Sequence, residues 1–577
     1  MSELRIAMAQ INSSVGDLEG NKRKIIDYIN RAKNSRTDII AFPELTVTGY
    51  PPQDLLFNKN FIKSNLEVLN EIVSESKDIT SIIGFVDKDN NNNLYNSAAI
   101  ISNKTLESIY HKIYLPNYGV FDEKRYFSKG KTSKLFLLEN IKIGISICED
   151  IWHPKGPILE HANQGAQLSI NINGSPYHAG KKKIRENLLK SQSARHNLYL
   201  AYINMVGGQD ELVFDGTSML LDPSGKIIAQ GNQFEEDLVF TDLKIDALNK
   251  NIPKPKTTIL PNSDVNKSAQ TTTISLSAGL IKNKPSLTKY KSVQYDDLGE
   301  IYAALVLGTK DYVHKCGFNK VLVALSGGID SSLVTTIAVD ALGPKNVTAI
   351  YLPSKYSSQS SIEDAKSLTR NLGIKLETIP INSSVISFEK TLTPFLENID
   401  DDLTNQNIQS RTRGLIIMAL SNNSGALVLT TGNKSEMAVG YATIYGDMAG
   451  GYAVIKDVPK TLVYKLASHR NSISKLMIPN SVLSKAPSAE LKPNQKDQDY
   501  LPEYEVLDQI LKEYIENELS AKEISDKGFS LQLVETIINM VDKSEYKRQQ
   551  SAPGIKITKK NFGRDRRMPI SNQFIGN

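Results

Sequence analysis

The chain has 577 residues, too many for one hydrophobic core, so we expect two or more domains, from a prior of roughly 150 residues each. Lys and Arg number 68 against 63 Asp and Glu, and the net charge of +5 includes no basic block, which disfavours nucleic acid as a partner. Two cysteines exclude a disulfide framework, and neither a signal peptide nor a membrane-spanning apolar run is present, so we expect a soluble cytoplasmic protein without membrane contact.

The first 246 residues alternate short apolar runs with amphipathic helical stretches. The runs include "LRIAMAQI", "TDIIAFPEL", "ITSIIGFVD", "KIGISICED", "LSINING" and "LYLAYINMV", and residues 21–34 carry apolar side chains at helical spacing. The runs are rich in β-branched residues, which predicts strands buried on at least one face. We therefore predict an α/β domain over residues 1–246.

Three motifs in this half contain candidate catalytic side chains. "AFPEL" places Glu44 after a strand, "YHKIYLPNYGVFDEKRYF" contains Lys112, and "IGISICEDIWHP" places Cys148 at the end of another strand. A cysteine nucleophile needs a base to take its proton and a cation to stabilise the tetrahedral oxyanion, and a glutamate and a lysine supply both roles. Each residue alone has a structural explanation: a small buried cysteine, a charge at a helix start and a surface lysine.

Together, the order and surroundings of these motifs resemble the nitrilase (carbon–nitrogen hydrolase) family over residues 3–245. The resemblance implies an α-β-β-α sandwich with Glu44 as general base, Lys112 as oxyanion stabiliser and Cys148 as the nucleophile that forms a γ-glutamyl thioester. It further implies that Glu123 supports this triad and that glutamine is held by Tyr118, Ser175 and Lys181. From the residues alone, Lys181 in "NGSPYHAGKKKIR" is either a cation for a substrate carboxylate or part of a solvated run of three lysines.

Residues 247–294 are rich in Pro, Asn, Ser, Thr and Lys with weak periodicity, which predicts a linker or surface arm. From residue 295 onward the strand patterns "KVLVAL", "NVTAIYLPS" and "IKLETIPI" alternate with the helix patterns "DSSLVTTIAVDAL" and "SIEDAKSLTRNLG". Because these strands are apolar throughout, they predict a doubly wound parallel sheet over residues 295–577. The polar segments 246–290 and 484–504 are predicted to be loops that either order over a ligand or serve as passive linkers.

The turn in "VLVALSGGIDSS" joins a predicted strand to a predicted helix. Adjacent glycines let a ligand approach the backbone closely, and the free N–H groups of the following helix suit a phosphate. The motif departs from G-x-x-x-x-G-K-[ST] because no lysine follows Gly328, and a tight structural turn is the alternative. Asp330 and Glu436 are hard oxygen donors of the type that Mg²⁺ uses. Further polar candidates for holding a nucleotide or a metal follow the next strand: Thr431, Asn433 and Asp447.

This loop resembles that of the ATP-pyrophosphatase superfamily, whose members have the adenine nucleotide alpha-hydrolase-like fold. The motifs "TTGNKSE", "YGDMAGG", "IKDVPKT", "KAPSAELKPNQKDQDYLPEYEVLD" and "YKRQQSAPGIKIT" resemble the NAD synthetases over most of residues 296–560. The resemblance implies that ATP is held by Ala324, Leu325, Ser326, Gly327, Gly328, Ile329, Asp330, Ser331 and Thr431. It implies contacts to deamido-NAD from Asn407, Arg411, Glu436 and Lys547. Alone, Arg411 or Lys547 is as readily explained as a solvated surface charge.

A nitrilase-like part followed by an NAD synthetase part resembles the arrangement of the glutamine-dependent NAD synthetases. That resemblance implies a ligase that hydrolyses glutamine and amidates ATP-adenylated deamido-NAD, with ATP as co-substrate, Mg²⁺ as cofactor and a homo-oligomer as the assembly. One alternative is an amidotransferase that acts on another carboxylate or carbonyl, which "IKDVPKT" and residues 487–508 disfavour. The other is a non-catalytic assembly module, which the intact Glu44, Lys112, Cys148 and Asp330 disfavour.

Overall fold

The computed structural model describes residues 2–245, 272–288, 290–396, 402–474, 476–493 and 495–574. The chain divides into two compact units: unit 1 comprises Met1–Gln209 and Val213–Tyr295, and unit 2 comprises Asp210–Leu212 and Asp296–Asn577. Residues 246–271, which include much of the predicted linker and of the predicted loop 246–290, lie outside the described residues. Across the described ranges, no helix is both long enough and apolar enough to cross a membrane.

Within its described residues, unit 1 contains two large sheets and four α-helices. The strands are β1 Ser2–Gln10, β2 Ile39–Ala41, β3 Thr80–Lys88, β4 Leu94–Ser102, β5 Thr105–His111, β6 Lys134–Leu138, β7 Ile141–Ile147, β8 Leu168–Asn173, β9 Tyr199–Asn204, β10 Val206–Gln209, β11 Leu212–Asp215, β12 Met219–Leu221, β13 Ile227–Gln230, β14 Asp237–Ile245 and β15 Thr272–Ser275. The helices are α1 Leu18–Asn34, α2 Lys59–Glu75, α3 Pro157–Asn163 and α4 Lys181–His196. Sheet 1 has the order β14-β1-β2-β3-β4-β5, sheet 2 has the order β13-β12-β9-β8-β7-β6-β15, and β10 pairs with β11.

Side-chain alternation along β1 shows how the layers of unit 1 form. Ile6 and Met8 belong to the core between the two sheets, whereas Ala7 and Ala9 belong to the core that sheet 1 shares with α1 and α2. Successive strand residues point to opposite faces, so an apolar residue at every position predicts a strand covered on both sides. A third core, which includes Leu189 of α4, packs α3 and α4 on sheet 2. The layers are therefore helix, sheet, sheet and helix, which confirms the predicted α-β-β-α sandwich.

Unit 2 is built around a five-stranded sheet within its described residues. Its elements are α5 Asp297–Lys315, β16 Val321–Ala324, α6 Ile329–Leu342, β17 Val347–Tyr351, α7 Gln359–Leu372, β18 Lys375–Thr378, α8 Asn382–Leu392, α9 Asp402–Ser424, β19 Leu427–Thr430, α10 Lys434–Val439, β20 Tyr452–Ala453, α11 Lys460–Ile473, α12 Asn480–Ser484, α13 Tyr504–Leu511, α14 Ala521–Ser525, α15 Leu531–Lys543 and α16 Glu545–Arg548. The strand order is β18-β17-β16-β19-β20, and neighbouring strands run parallel.

The strand order of unit 2 identifies the edge where a ligand binds. From β16 the chain moves outward to β17 and β18, and it then returns to the other side of β16 for β19 and β20. The order reverses between β16 and β19, and parallel sheets of this kind bind ligands outside the carboxyl ends of the strands at such a point. The sheet confirms the predicted doubly wound fold and places the Ser-Gly-Gly turn, which follows β16, at this position.

Candidate active sites

The unit 1 site lies at strand ends from both sheets of the sandwich. Glu44 follows β2 and Lys112 follows β5, both in sheet 1, whereas Cys148 follows β7 in sheet 2. Cys148 has a φ of 45°, a conformation that a non-glycine residue seldom adopts, and a short 3₁₀-helix begins there. The sharp turn between strand and helix sets the position of this side chain.

Lys112 connects two carboxylates at the centre of the unit 1 site. Its Nζ lies 2.6 Å from Glu44 Oε1 and 2.9 Å from Glu123 Oε1, and the three side chains are buried. The amide of Asn96 donates to Glu44 Oε1 at 2.7 Å, and the backbone N–H of Gly174 donates to Glu44 Oε2 at 2.8 Å. An ammonium has three N–H groups, so one remains after the two carboxylates are served.

The protonation states in this site follow from burial and from the neighbouring charges. Burial alone lowers the pKa of Lys112, but the carboxylates of Glu123 and Glu44 raise it well above its usual value. Burial raises the pKa of Glu123 to about 7 against the opposing charge of Lys112. Burial, and then the charge of Glu44, raises the pKa of Cys148 well above its usual value. The thiol is therefore protonated at neutral pH and needs a base before it can attack.

The three predicted glutamine contacts lie in unit 1 with different degrees of exposure. Tyr118 is 59% exposed, and its hydroxyl donates to Glu149 Oε2 at 2.9 Å. Ser175 is buried, and its backbone N–H donates to Asn204 at 3.0 Å. Lys181 begins α4 with its Nζ 4.3 Å from the centre of the Trp152 ring. Burial, and then the charge of Arg185, lowers the pKa of Lys181, while the charges of Cys148 and Glu149 act in the opposite direction.

The turn after β16 is preformed by its own serines. Gly327 has a φ of 83°, and a Cβ there would lie 2.3 Å from the Ser361 carbonyl oxygen. The Ser326 hydroxyl accepts from the Gly328 N–H at 3.2 Å, and the Ser331 hydroxyl donates to the Gly328 carbonyl at 3.1 Å. Of the two glycines, only Gly327 therefore uses its conformational freedom, and it packs against α7 while its neighbours line the cavity described below.

Two carboxylates meet at the switch point of the unit 2 sheet. Asp330 accepts from the Asn433 amide at 3.0 Å, and Lys460 forms ion pairs with Asp330 and with Glu436, the latter at 3.2 Å. Burial, partly offset by Lys460, raises the pKa of Glu436 to about 8, and the charge of Asp330 adds to the shift. Asp497 also acts electrostatically on this group. One ammonium is therefore shared by two carboxyl groups, and a pKa of about 8 leaves Glu436 mostly protonated at neutral pH.

A cavity of about 560 Å³ in unit 2 brings the predicted ligand contacts together. It is lined by every predicted ATP contact except Gly327 and by all four predicted deamido-NAD contacts. All four of the latter are engaged with protein groups, Glu436 with Lys460 as described above. Asn407 Oδ1 accepts from Thr443 at 3.0 Å, Arg411 Nε donates to the Ile444 carbonyl at 3.3 Å, and Lys547 Nζ donates to the Gly440 and Ala442 carbonyls at 2.7 and 2.9 Å.

Comparison with known proteins places the whole chain in one family. Residues 5–250 match the carbon–nitrogen hydrolase family, and residues 301–551 match the NAD synthase family. Glutamine-dependent NAD(+) synthetases from Thermotoga maritima and Aquifex aeolicus are 44% and 46% identical to the chain, over 100% and 99% of its length and 99% and 100% of theirs. A solved glutamine-dependent NAD+ synthetase from Acinetobacter baumannii, in complex with ADP, is 40% identical with a TM-score of 0.74 over 100% of both chains. The chain belongs to the glutamine-dependent NAD(+) synthetase family.

Family membership confirms the predicted enzyme class, a glutamine-hydrolysing NAD synthase of the ligase class. Several residues of these sites were not foreseen from the sequence. In unit 1 they are Tyr50, Asn96, Glu149 and Asp150, and in unit 2 they are Arg413, Lys460, Asp497 and Glu490. Glu149 and Asp150 adjoin Cys148, and the motifs quoted above contain the other three residues for which sequence neighbourhood was an available signal: Lys460, Glu490 and Asp497. No local pattern points to Asn96.

Proposed function

We propose that unit 1 releases ammonia from glutamine at Cys148 and that unit 2 uses it to amidate deamido-NAD after adenylation by ATP. The observation that carries the proposal is the presence of both complete side-chain sets on one chain. Lys112 joins Glu44 and Glu123 beside a buried thiol, and Lys460 joins Asp330 and Glu436 beside a glycine turn at the switch point. The first set suits acyl transfer from an amide, and the second suits the handling of a nucleoside triphosphate.

In the glutaminase half-reaction, Glu44 takes the proton of the Cys148 thiol as the sulfur attacks the amide carbon of glutamine. The third N–H of Lys112, for which the described residues provide no acceptor, stabilises the oxyanion of the tetrahedral intermediate. The C–N bond then breaks, Glu44 returns the proton to the leaving nitrogen, and ammonia departs from a γ-glutamyl thioester. A water molecule, deprotonated by Glu44, hydrolyses the thioester to glutamate and restores the thiol.

Glutamine is a zwitterion, so its recognition requires charges of both signs. Lys181 supplies a cation for the α-carboxylate, and Glu149, which accepts from Tyr118, supplies an anion for the α-ammonium. Ser175, with its backbone fixed by Asn204, offers a hydroxyl to the bound amino acid. These assignments extend the sequence prediction by one residue, Glu149.

In the synthetase half-reaction, a carboxylate oxygen of deamido-NAD attacks the α-phosphorus of ATP and pyrophosphate leaves. Ammonia then attacks the adenylated carbonyl carbon and AMP leaves, which gives NAD. The N–H groups of the turn from Ser326 to Ser331 hold the phosphates at the start of α6. Lys460 and the turn stabilise charge that develops on the departing pyrophosphate.

The residues of unit 2 fit a divalent cation. Asp330 and Glu436 are hard oxygen donors that meet at one ammonium, and both line the cavity that holds the predicted ATP contacts. We therefore assign Asp330 and Glu436 to Mg²⁺, whose chemistry here is to neutralise phosphate charge during pyrophosphate departure. Asn407, Arg411 and Lys547 are assigned to deamido-NAD. Asn407 now accepts from a hydroxyl, and Arg411 and Lys547 donate to backbone carbonyls. When deamido-NAD binds, its oxygens replace the carbonyls as the acceptors for the two cations.

The enzyme assay tests both half-reactions directly. The protein is incubated with deamido-NAD, ATP and Mg²⁺, with either glutamine or ammonium as nitrogen source, and NAD, AMP and glutamate are measured. We expect NAD and AMP in equal amounts from both sources, and glutamate from glutamine alone. Formation of ADP in place of AMP would contradict cleavage at the α-phosphorus. A homo-oligomer and a cytoplasmic location are part of the proposal, and sedimentation and cell fractionation test them.

A further inference from the structure

We propose that Asp150 is a positioning residue that fixes Cys148 relative to Lys112 by joining strand ends from the two sheets of unit 1. The proposal rests on the proposed role of Cys148 as the glutaminase nucleophile. The two groups lie in different layers: Lys112 follows β5 in sheet 1, and Cys148 follows β7 in sheet 2. Catalytic groups must be held within about 0.5 Å of their productive geometry, which requires hydrogen bonds to supporting residues in addition to packing. A catalytic pair divided between sheets therefore needs a directional link.

The side chain of Asp150 provides that link with both of its oxygens. Oδ1 accepts from the backbone N–H groups of Ile113 and Tyr114, at 3.1 and 2.9 Å, directly after Lys112. Oδ2 accepts from the Ile147 N–H at 2.9 Å, directly before Cys148, and from the Tyr110 hydroxyl at 2.7 Å in β5. One carboxylate thus contacts the chain on both sides of Lys112 and the residue that precedes the nucleophile.

The environment of Asp150 favours a role in positioning the strand ends over a role in general stability of the fold. Its exposed fraction is 0%, and the three backbone groups it binds are donors only, so a carboxylate is the side chain that satisfies all of them at once. Charge-assisted hydrogen bonds are shorter and stronger than neutral ones, which makes this contact stiff. Burial raises the pKa of Asp150 to about 6, so the group is ionised at neutral pH.

Positioning by Asp150 affects the nucleophile through Lys112. The ammonium of Lys112 lowers the pKa of the Cys148 thiol against burial and against the charge of Glu44. A Coulomb interaction depends on distance, so a displacement of Cys148 from Lys112 weakens this effect and also misplaces the oxyanion donor. Chemistry at the thiol is then impaired, while the groups assigned to glutamine binding keep their own contacts.

Asp150→Asn is the primary test. Asparagine has one acceptor oxygen where aspartate has two. If that oxygen accepts from Ile113 and Tyr114, the NH₂ group faces the N–H of Ile147, and two donors then oppose each other. We expect the kcat for glutamate release to fall at least tenfold with the KM for glutamine changed less than threefold. We expect alkylation of Cys148 by iodoacetamide to slow by a similar factor and its pH profile to shift upward, with the exposed Cys316 as the internal reference.

Three further variants separate positioning from general stability. Tyr110→Phe removes one hydrogen bond and leaves the three backbone bonds, so kcat should stay within threefold. Asp38→Asn is the matched control: Asp38 is also buried in unit 1 and accepts from two backbone N–H groups, those of Arg5 and Ile281. It should lower Tm without slowing alkylation of Cys148. Asp150→Glu keeps both carboxylate oxygens but moves them by the length of one methylene group. It replaces Asp150→Asn as the test of positioning if the asparagine variant does not fold.

NAD formation from ammonium normalises each preparation for folded enzyme. The proposal is overturned if Asp150→Asn and Asp150→Glu keep kcat and Cys148 alkylation within twofold of wild type, whatever happens to Tm. Equal losses in Tyr110→Phe and Asp150→Asn also contradict it, because the backbone bonds survive in the former. If the wild-type protein releases no glutamate, the proposed function fails, yet the alkylation comparison still reports whether Asp150 controls the thiol.

Discussion

In the proposed function, single residues decide the chemistry in both units, and the central residue of each site is a cation held out of water. In unit 1 the cation is Lys112, fixed by Glu44 and Glu123, and in unit 2 it is Lys460, fixed by Asp330 and Glu436. A buried ion without a partner is strongly destabilising. Loss of any one ion pair would therefore raise the free energy of the folded state, which keeps each set in its observed arrangement. In each set one ammonium is shared by two carboxyl groups, and burial raises the pKa of one of them, Glu123 in unit 1 and Glu436 in unit 2.

Asp330→Asn tests the assignment of the metal and phosphate site. The substitution removes a negative oxygen from the pair that faces the cation while it keeps the size of the side chain. We expect NAD formation from glutamine and from ammonium to fall alike, by about two orders of magnitude, a loss typical of electrostatic groups at a transition state. Both rates are measured at saturating ATP and Mg²⁺. Normal turnover with ammonium would show that the glycine turn and its aspartate are structural.

Among the individual site residues, the sequence predicted those that lie in a recognisable local motif. It missed those that join the site only through contacts between distant parts of the chain. Glu44 and Cys148 each follow a strand that the sequence predicted, Lys112 lies in a recognised motif, and the structure places all three at strand ends of unit 1. Asn96 is the third residue of β4, with nothing nearby in the sequence to indicate that it contacts Glu44. Contacts of this sort depend on the register between strands, which a single sequence does not specify. The catalytic roles themselves stay predictions until the variants are assayed.

Secondary-structure elements set the geometry of these residues, and the link between β16 and α6 is the clearest case. Gly327→Ala tests it. The alanine Cβ would lie 2.3 Å from the Ser361 carbonyl oxygen, so the turn must move away from α7. We expect ammonium-dependent NAD formation to fall at least tenfold. Gly343→Ala is the matched control, because Gly343 ends the same helix with a φ of 81°, and an alanine Cβ there would meet no atom of the other described residues within 4 Å, its chain neighbours aside.

The control isolates the contact from the cost of the backbone conformation. Both alanines adopt a backbone conformation with positive φ, which costs on the order of 1–3 kcal/mol, so both variants should lose some stability. Only the Gly327 variant should lose activity per folded molecule. Similar activities for the two variants would mean that the turn tolerates the displacement and that its position is not important for ATP.

A buried histidine on α3 makes the stability of unit 1 depend on pH. His161 is buried against Gly144 of β7, and burial lowers its pKa to about 3. The unfolded chain binds a proton there near pH 6.5 while the folded chain does not, so stability falls as pH drops from 6.5 toward 3. The limiting slope is about 1.4 kcal/mol per pH unit. The test is the urea concentration at which half of the glutaminase activity is lost, measured from pH 5 to 8. This midpoint should depend less on pH in His161→Gln than in the wild type.

His314→Gln provides the comparison, since His314 is an exposed histidine on α5. Its urea midpoint should follow that of the wild type at every pH. An unchanged slope in His161→Gln would locate the acid sensitivity elsewhere in unit 1.

The whole molecule combines two folds that were predicted on different grounds. The alternating apolar pattern predicted the doubly wound sheet, the resemblance to the carbon–nitrogen hydrolases implied the α-β-β-α sandwich, and the structure confirms both. The assignment of residues 247–294 to a linker or arm did not foresee β15, whose four residues "TTIS" pair in parallel with β6. A short polar edge strand has too few apolar positions to produce a periodic signal. The domain boundaries set at residues 246 and 295 stay predictions.

Coupling between the two activities is the prediction that concerns the entire chain. Ammonia at neutral pH is mostly protonated and would be diluted into solvent, so glutamine hydrolysis without an acceptor wastes the nitrogen. We expect deamido-NAD and ATP together to raise the rate of glutamate release, because occupation of unit 2 shifts the population toward a competent triad. The segment 484–504 is a candidate moving part, since Glu490 accepts from Ser358 and Ser361 at 2.8 and 2.7 Å and lines the cavity.

Glutamate and NAD are measured together for this prediction, with and without the two substrates of unit 2. Stimulated glutamate release, with nearly one NAD formed per glutamate, is the expected result. An unchanged glutaminase rate with a large excess of glutamate would describe two independent enzymes on one chain.

The central claim is a division of labour in which Cys148 supplies ammonia and unit 2 consumes it. Cys148→Ala tests this most directly, because it removes the nucleophile and leaves every group of unit 2 in place. The measurement is NAD formation by the variant and the wild type under the same conditions, with glutamine in one reaction and ammonium in the other. We predict that the variant makes no NAD from glutamine and makes it from ammonium at close to the wild-type rate. Equal loss with both nitrogen sources would contradict the account.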